Sequence, residues 1–66
     1  MYKKNMVSKT DLEKLGFKTN QSMTIIRQAK IKMVNAGYPY YNNKMVGIVP
    51  RNIVEEIIGI PLELEE

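Results

Sequence analysis

The chain has 66 residues, 44% of them hydrophobic and 26% charged, with no Cys, no His and no Trp. A chain this short holds one small core, and without Cys or His it can form no disulfide framework, no Cys/His zinc site, no imidazole base and no thiolate nucleophile. The net charge of +3 is unevenly spread: residues 1–54 carry all ten Lys and Arg against Asp11 and Glu13, while residues 55–66 carry five Glu and no base. A basic body of this kind attracts polyanions, and since nearly every large apolar side chain is needed inside, function must sit on the surface.

In chain order, Met6-Val7 can form a short strand beyond an N-terminal arm over residues 1–7. Ser8-Lys9-Thr10-Asp11 then opens a helix, because a Ser and an acid three residues later can satisfy each other's backbone N–H groups. Leu12 and Leu15 share one face of that helix. Gly16 ends it, and Phe17 can fold back onto the leucines.

A second helix starts with Thr19 or Asn20 as its cap and runs to about Asn35, where Ala36-Gly37 and Tyr38-Pro39 stop it. At 100° per residue, Met23, Ile26, Ala29 and Met33 form the core stripe, with Ile25 and Val34 at its edges. The opposite arc gathers Asn20, Gln21, Thr24, Arg27, Gln28, Ile31 and Lys32. Lys30 lies within the apolar arc and has to snorkel out of it.

Residues 38–49 contain two runs of β-formers around Asn42-Asn43, and Asn tolerates the positive φ of tight turns, so a β-hairpin is predicted with Met6-Val7 as a candidate third strand. Tyr38, Tyr40 and Tyr41 are assigned to core and hairpin packing, because a chain with one Phe needs aromatic volume. Pro50 is expected at the first position of a third helix, whose Ile53, Val54, Ile57 and Ile58 pack inward and which Gly59 ends. An acidic tail follows over residues 60–66. Two helices joined by a Gly-containing turn, a hairpin and a packing helix give a mainly α domain with a small hairpin (α+β), a winged helix-turn-helix over residues 8–59.

The expected function follows from the second helix. Reading the edges of base pairs in the major groove takes Asn or Gln for adenine, Arg for guanine and a methyl group for thymine, and Asn20, Gln21, Thr24, Arg27 and Gln28 supply that set. Lys32 on the same arc adds a DNA-binding cation, and the hairpin tip Asn42-Asn43-Lys44, with Arg51 near its base and Lys3 and Lys4 as an arm, would reach phosphates or a minor groove. An ordinary solvated face also favours Gln, Arg and Lys, but it usually mixes both signs. Here residues 14–54 contain no Asp or Glu. Ser8 and Ser22 have no base partner, Glu55 and Glu56 point apart on a helix, and there is no Gly-rich phosphate loop, so an enzyme, a metal site and a cofactor are not expected.

The runs Ser8-Lys9-Thr10-Asp11-Leu12 and Leu15-Gly16-Phe17, the hairpin, and Val49-Pro50-Arg51 with Val54-Glu55-Glu56-Ile57-Ile58 resemble the excisionase-like, MerR-type winged-helix domains over about residues 6–59. Ile26-Arg27-Gln28-Ala29-Lys30 and Tyr40-Tyr41-Asn42-Asn43-Lys44 resemble more closely a family of short proteins from integrative and conjugative elements of Gram-positive bacteria. The resemblance implies double-stranded DNA binding near recombination sites or promoters of a mobile element, Thr24, Arg27 and Gln28 reading bases, Asn43 and Lys44 as wing tip, and an integrase as protein partner. A small transcriptional repressor with the same fold is the alternative. A protein-interaction adaptor using Ile31, Tyr41 or Leu62-Glu63-Leu64 is the alternative from another class. Oligomeric or cooperative binding on DNA is expected because one small subunit reads few base pairs. With no long apolar stretch or signal-like region, the expected compartment is the cytoplasm and no membrane partner is foreseen.

If about four to six phosphates are neutralised, the logarithm of the DNA association constant should fall against log salt with a slope of about −4 to −5. Titrations of a duplex across a salt series measure it directly, and a slope near zero would remove the polyanion reading.

Overall fold

The computed structural model describes residues 5–62. Strand β1 (Met6–Ser8) runs directly into helix α1 (Lys9–Lys14), followed by helix α2 (Thr19–Asn35), a 3-10 turn (Pro39–Tyr41), strand β2 (Ile48–Pro50) and helix α3 (Arg51–Ile58). Three helices and a two-stranded antiparallel pair make the expected mainly helical α+β, winged-helix-like fold class.

The two strands tie the ends of the domain together. Met6 pairs with Pro50, Val7 with Val49 and Ser8 with Ile48, and the Arg51 N–H extends the ladder to the Asn5 carbonyl at 2.7 Å. Side chains alternate across a strand, so the register points Val7 and Val49 to the same face, and both are completely buried there. They join Leu12, Ile25, Ile26, Ala29, Val54 and Leu62 in one core, with Phe17, Tyr41, Ile53, Ile57 and Ile58 packed half-buried against it. Val7 and Leu62, from the segments read as arm and tail, are thus core residues.

Ser8 ends β1 and caps α1 as expected. Its backbone N–H donates to Asp11 Oδ2 at 3.0 Å and its hydroxyl accepts from the Asp11 N–H at 3.3 Å. Gly16 takes φ +109°, a left-handed conformation that needs glycine, and the Phe17 N–H returns to the Leu12 carbonyl at 3.2 Å, folding Phe17 onto the core. Lys18, not Thr19 or Asn20, caps α2: its N–H donates to Gln21 Oε1 at 3.0 Å. Pro50 is likewise the N-cap of α3 and not its first residue, because its N–H-free nitrogen and extended ψ let it finish β2 and begin the helix at once.

The predicted hairpin over residues 38–49 does not form. Pro39 starts a 3-10 turn, where its missing N–H costs nothing, and among the described residues no residue other than glycine has positive φ, so Asn42 and Asn43 do not supply the primed turn. Met6-Val7, expected as a third strand, lies instead in Met6–Ser8, the sole partner of β2 within the described sheet. The tyrosine assignment changes with it: Tyr38 and Tyr40 are 55% and 65% exposed, and only Tyr41 packs on the core, with Tyr40 edge-on to it at 5.1 Å.

On α2 the buried face is Ser22, Ile25, Ile26, Ala29 and Met33. Met23, assigned to that stripe, is 45% exposed, and Leu15 on α1 is 44% exposed. Both lie at the limit of the arc that a domain this small can cover.

Ser22 is fully buried and its hydroxyl has no hydrogen-bond partner. A buried hydroxyl without a partner is destabilising, and Ala is the better helix former. Ser22→Ala should therefore raise stability by about 1 kcal/mol, whereas Leu12→Ala, which empties the core, should lower it by about 2–5 kcal/mol. Urea midpoints of the two variants check both signs.

Candidate nucleic-acid interface

Burying one face of α2 against α1, α3, β2 and the 3-10 turn turns the other outward. Asn20, Gln21, Thr24, Arg27, Gln28 and Lys32 are all exposed on it. The helix has 17 residues, which corresponds to about 25 Å of continuous surface. The residues expected to read bases are therefore gathered on one ridge, clear of the protein's own interior.

Two members of that set are partly committed within the helix. Gln21 accepts the Lys18 N–H on its side-chain oxygen and keeps its two amide N–H groups and one lone pair for a ligand. The Thr24 hydroxyl donates to the Asn20 carbonyl at 2.9 Å. Neither interaction turns the side chain away from solvent.

One flank of α2 faces the segment between the 3-10 turn and β2, leaving an open groove of about 770 Å³. Met23, Ile26, Ile31, Val34, Tyr41 and Val46 give it an apolar floor, and Lys9, Arg27, Lys30 and Lys44 supply cations with no acidic lining residue. In place of a hairpin wing there is a short loop pinned through Asn43. Its carbonyl accepts from Lys30 Nζ at 2.8 Å and from the Val46 N–H at 3.0 Å, and its Oδ1 accepts from the Met45 N–H at 2.8 Å.

Asn43 thus holds the loop, and the exposed Lys44 and the 90% exposed Met45 form its tip. Lys30, whose side chain has to escape the apolar arc, does so toward this loop carbonyl. The role of Lys30 was hidden from the sequence because its partner is a backbone atom 13 residues away. Lys9, on the groove through the start of α1, was not singled out either.

Arg51 differs most from its expected place at the base of a wing. It is half-buried, with Nε 3.7 Å from Glu55 Oε2, and the same carboxylate oxygen accepts the Leu62 N–H at 2.7 Å. Arg51 Nε and Nη1 are buried without hydrogen-bond partners. The pair is a joint between α3 and the following chain, and it takes Arg51 away from the open basic surface. Lys3 and Lys4 lie outside the described residues.

Fold and surface together define a small α+β domain with an exposed, acid-free helix beside a basic groove. The chain belongs to the family described as domain of unknown function (DUF3173), whose match covers residues 5–62. Comparison with curated proteins and with solved structures gave no match. Among the described residues no helix is long and apolar enough to cross a membrane.

Because Lys30 ties α2 to the loop through an exposed hydrogen bond, Lys30→Met should speed amide exchange at Val46, whose N–H shares the Asn43 carbonyl. The effect on global stability should stay below about 1.5 kcal/mol. Hydrogen exchange followed by NMR distinguishes this local release from general unfolding.

Proposed function

We propose that the protein is a sequence-specific, non-enzymatic double-stranded DNA-binding protein that places α2 in the major groove. The observation that carries this reading is the outward face of α2: Asn20, Thr24, Arg27, Gln28 and Lys32 are exposed together, on a stretch of chain that contains no acid from residue 14 to residue 54. A helix of this diameter fits the major groove, and Arg, Asn and Gln carry the paired donors and acceptors that distinguish base pairs there.

Lys44 at the loop tip and Lys9 at the start of α1 both line the groove on one flank of the ridge, where a phosphate rail would pass, and phosphate contacts of this kind fix register without reading sequence. In this arrangement the loop between Tyr41 and Ile48 takes the position of a wing. Arg51, engaged with Glu55, is left out of the contact set.

The resemblance to excisionase-like domains supports a narrower role as a recombination accessory factor of a mobile element, acting beside an integrase. The same contacts would also serve a small repressor. An excision assay with and without the protein separates these roles: a change in excision supports the first, and repression of a neighbouring promoter with unchanged excision supports the second. The apolar floor of the groove favours a protein contact as a second reading, in which an adaptor would bind no DNA even at low salt.

Arg27→Ala should weaken binding to a selected site by about 1–3 kcal/mol and binding to random DNA far less. Competition titrations on the two kinds of duplex give the difference, and an equal loss on both would reduce Arg27 to a phosphate contact.

A further inference from the structure

The exposed ridge of α2 is polar apart from its midline. Thr24 and Ile31 are seven residues apart, within about 20° of two full turns, so they lie almost in line along the helix axis. Ile31 is 54% exposed although Arg27, Gln28 and Lys32 around it are polar. With the Thr24 hydroxyl proton donated to the Asn20 carbonyl, this residue offers a ligand its γ-methyl and an acceptor oxygen but no donor.

Resting on the DNA reading above, we infer that Thr24 and Ile31 are thymine-reading residues, each making apolar contact with a thymine 5-methyl group in the major groove. The rise between them is about 10.5 Å, and with base pairs stacked at about 3.4 Å and the helix inclined along the groove the two thymines are about two to three base pairs apart. Arg27 and Gln28, between them in sequence, then face the intervening pairs. The 5-methyl is the one apolar group that a base edge presents in the major groove, so it is the feature an exposed aliphatic ridge can select. Ile31 borders the groove beside α2 as Met23 does, but Met23, also exposed, lies about 80–100° round the helix from the Thr24–Ile31 line.

The experiment uses the full 66-residue chain to recover binding sites from a randomised duplex pool. Each thymine of the recovered site is then replaced in turn by deoxyuridine, which deletes only the 5-methyl. Two positions about two to three base pairs apart should each weaken binding about three- to fivefold. Ile31→Ser should abolish the penalty at one of them and Thr24→Ser at the other, while Ile31→Val should keep both; all three changes fall on exposed positions that the core does not use.

Deoxyuridine penalties that are absent, or that persist unchanged in Ile31→Ser and Thr24→Ser, overturn the thymine assignment and leave base reading by Arg27 standing. A pool from which no sequence is enriched overturns the DNA reading itself, and the thymine assignment with it.

Discussion

The pairing of β1 with β2 is the constraint on which the rest of the structure depends. Each strand is three residues long, yet each passes without a linker into a helix: Ser8 ends β1 and caps α1, and Pro50 ends β2 and caps α3. Fixing Val7 opposite Val49 therefore fixes where two helices begin. Because the strands are antiparallel, α1 and α3 leave opposite ends of the pair, and α2 packs against both. An isolated two-stranded ribbon is marginal in water; this one persists because its inner face is part of the core.

That arrangement gives the acids structural work away from α2. Asp11 is 6% exposed and closes the capping box of α1, and Glu55 joins Arg51 to the backbone of Leu62. The first holds a negative group at a helix N-terminus, where it is favourable. The second anchors Leu62 over the core, 3% exposed, by a charge-assisted hydrogen bond. The exposed ridge of α2 is left with cations and amides around Thr24 and Ile31, a surface that repels no phosphate. Core packing and surface electrostatics are thus separated on the two faces of one helix.

The loop between the 3-10 turn and β2 is the least supported part of the binding surface. Among its residues only Val46 is buried, and the segment is held through the hydrogen bonds that converge on Asn43. Few buried contacts imply a low free energy of local opening. A loop of that kind beside a rigid helix can adjust to a phosphate backbone while the ridge keeps its register.

Much of this was legible in the sequence because it is local. The Ser8–Asp11 box, the Gly16 and Gly59 stops, the span of α2 and the inward face of α3 depend on neighbours within a few residues, and periodicity alone turned Thr24, Arg27, Gln28 and Lys32 outward. The hairpin expected around Asn42-Asn43 was not legible, because β-propensity in residues 38–47 competes with Pro39 and with the Asn43 side chain, and the strand partner lies at the other end of the chain. The exposure of Tyr38 and Tyr40, the engagement of Arg51 with Glu55 and the tie from Lys30 to Asn43 arise in the same way, from groups that folding brings together. The amino-acid order by itself determined the helices, the Ser8–Asp11 cap of α1, the Gly16 and Gly59 stops and the acid-free ridge, since each follows from short-range hydrogen bonding and helical period. Only tertiary structure decided which strands pair and which cations stay free, since both turn on distances between residues far apart in the chain.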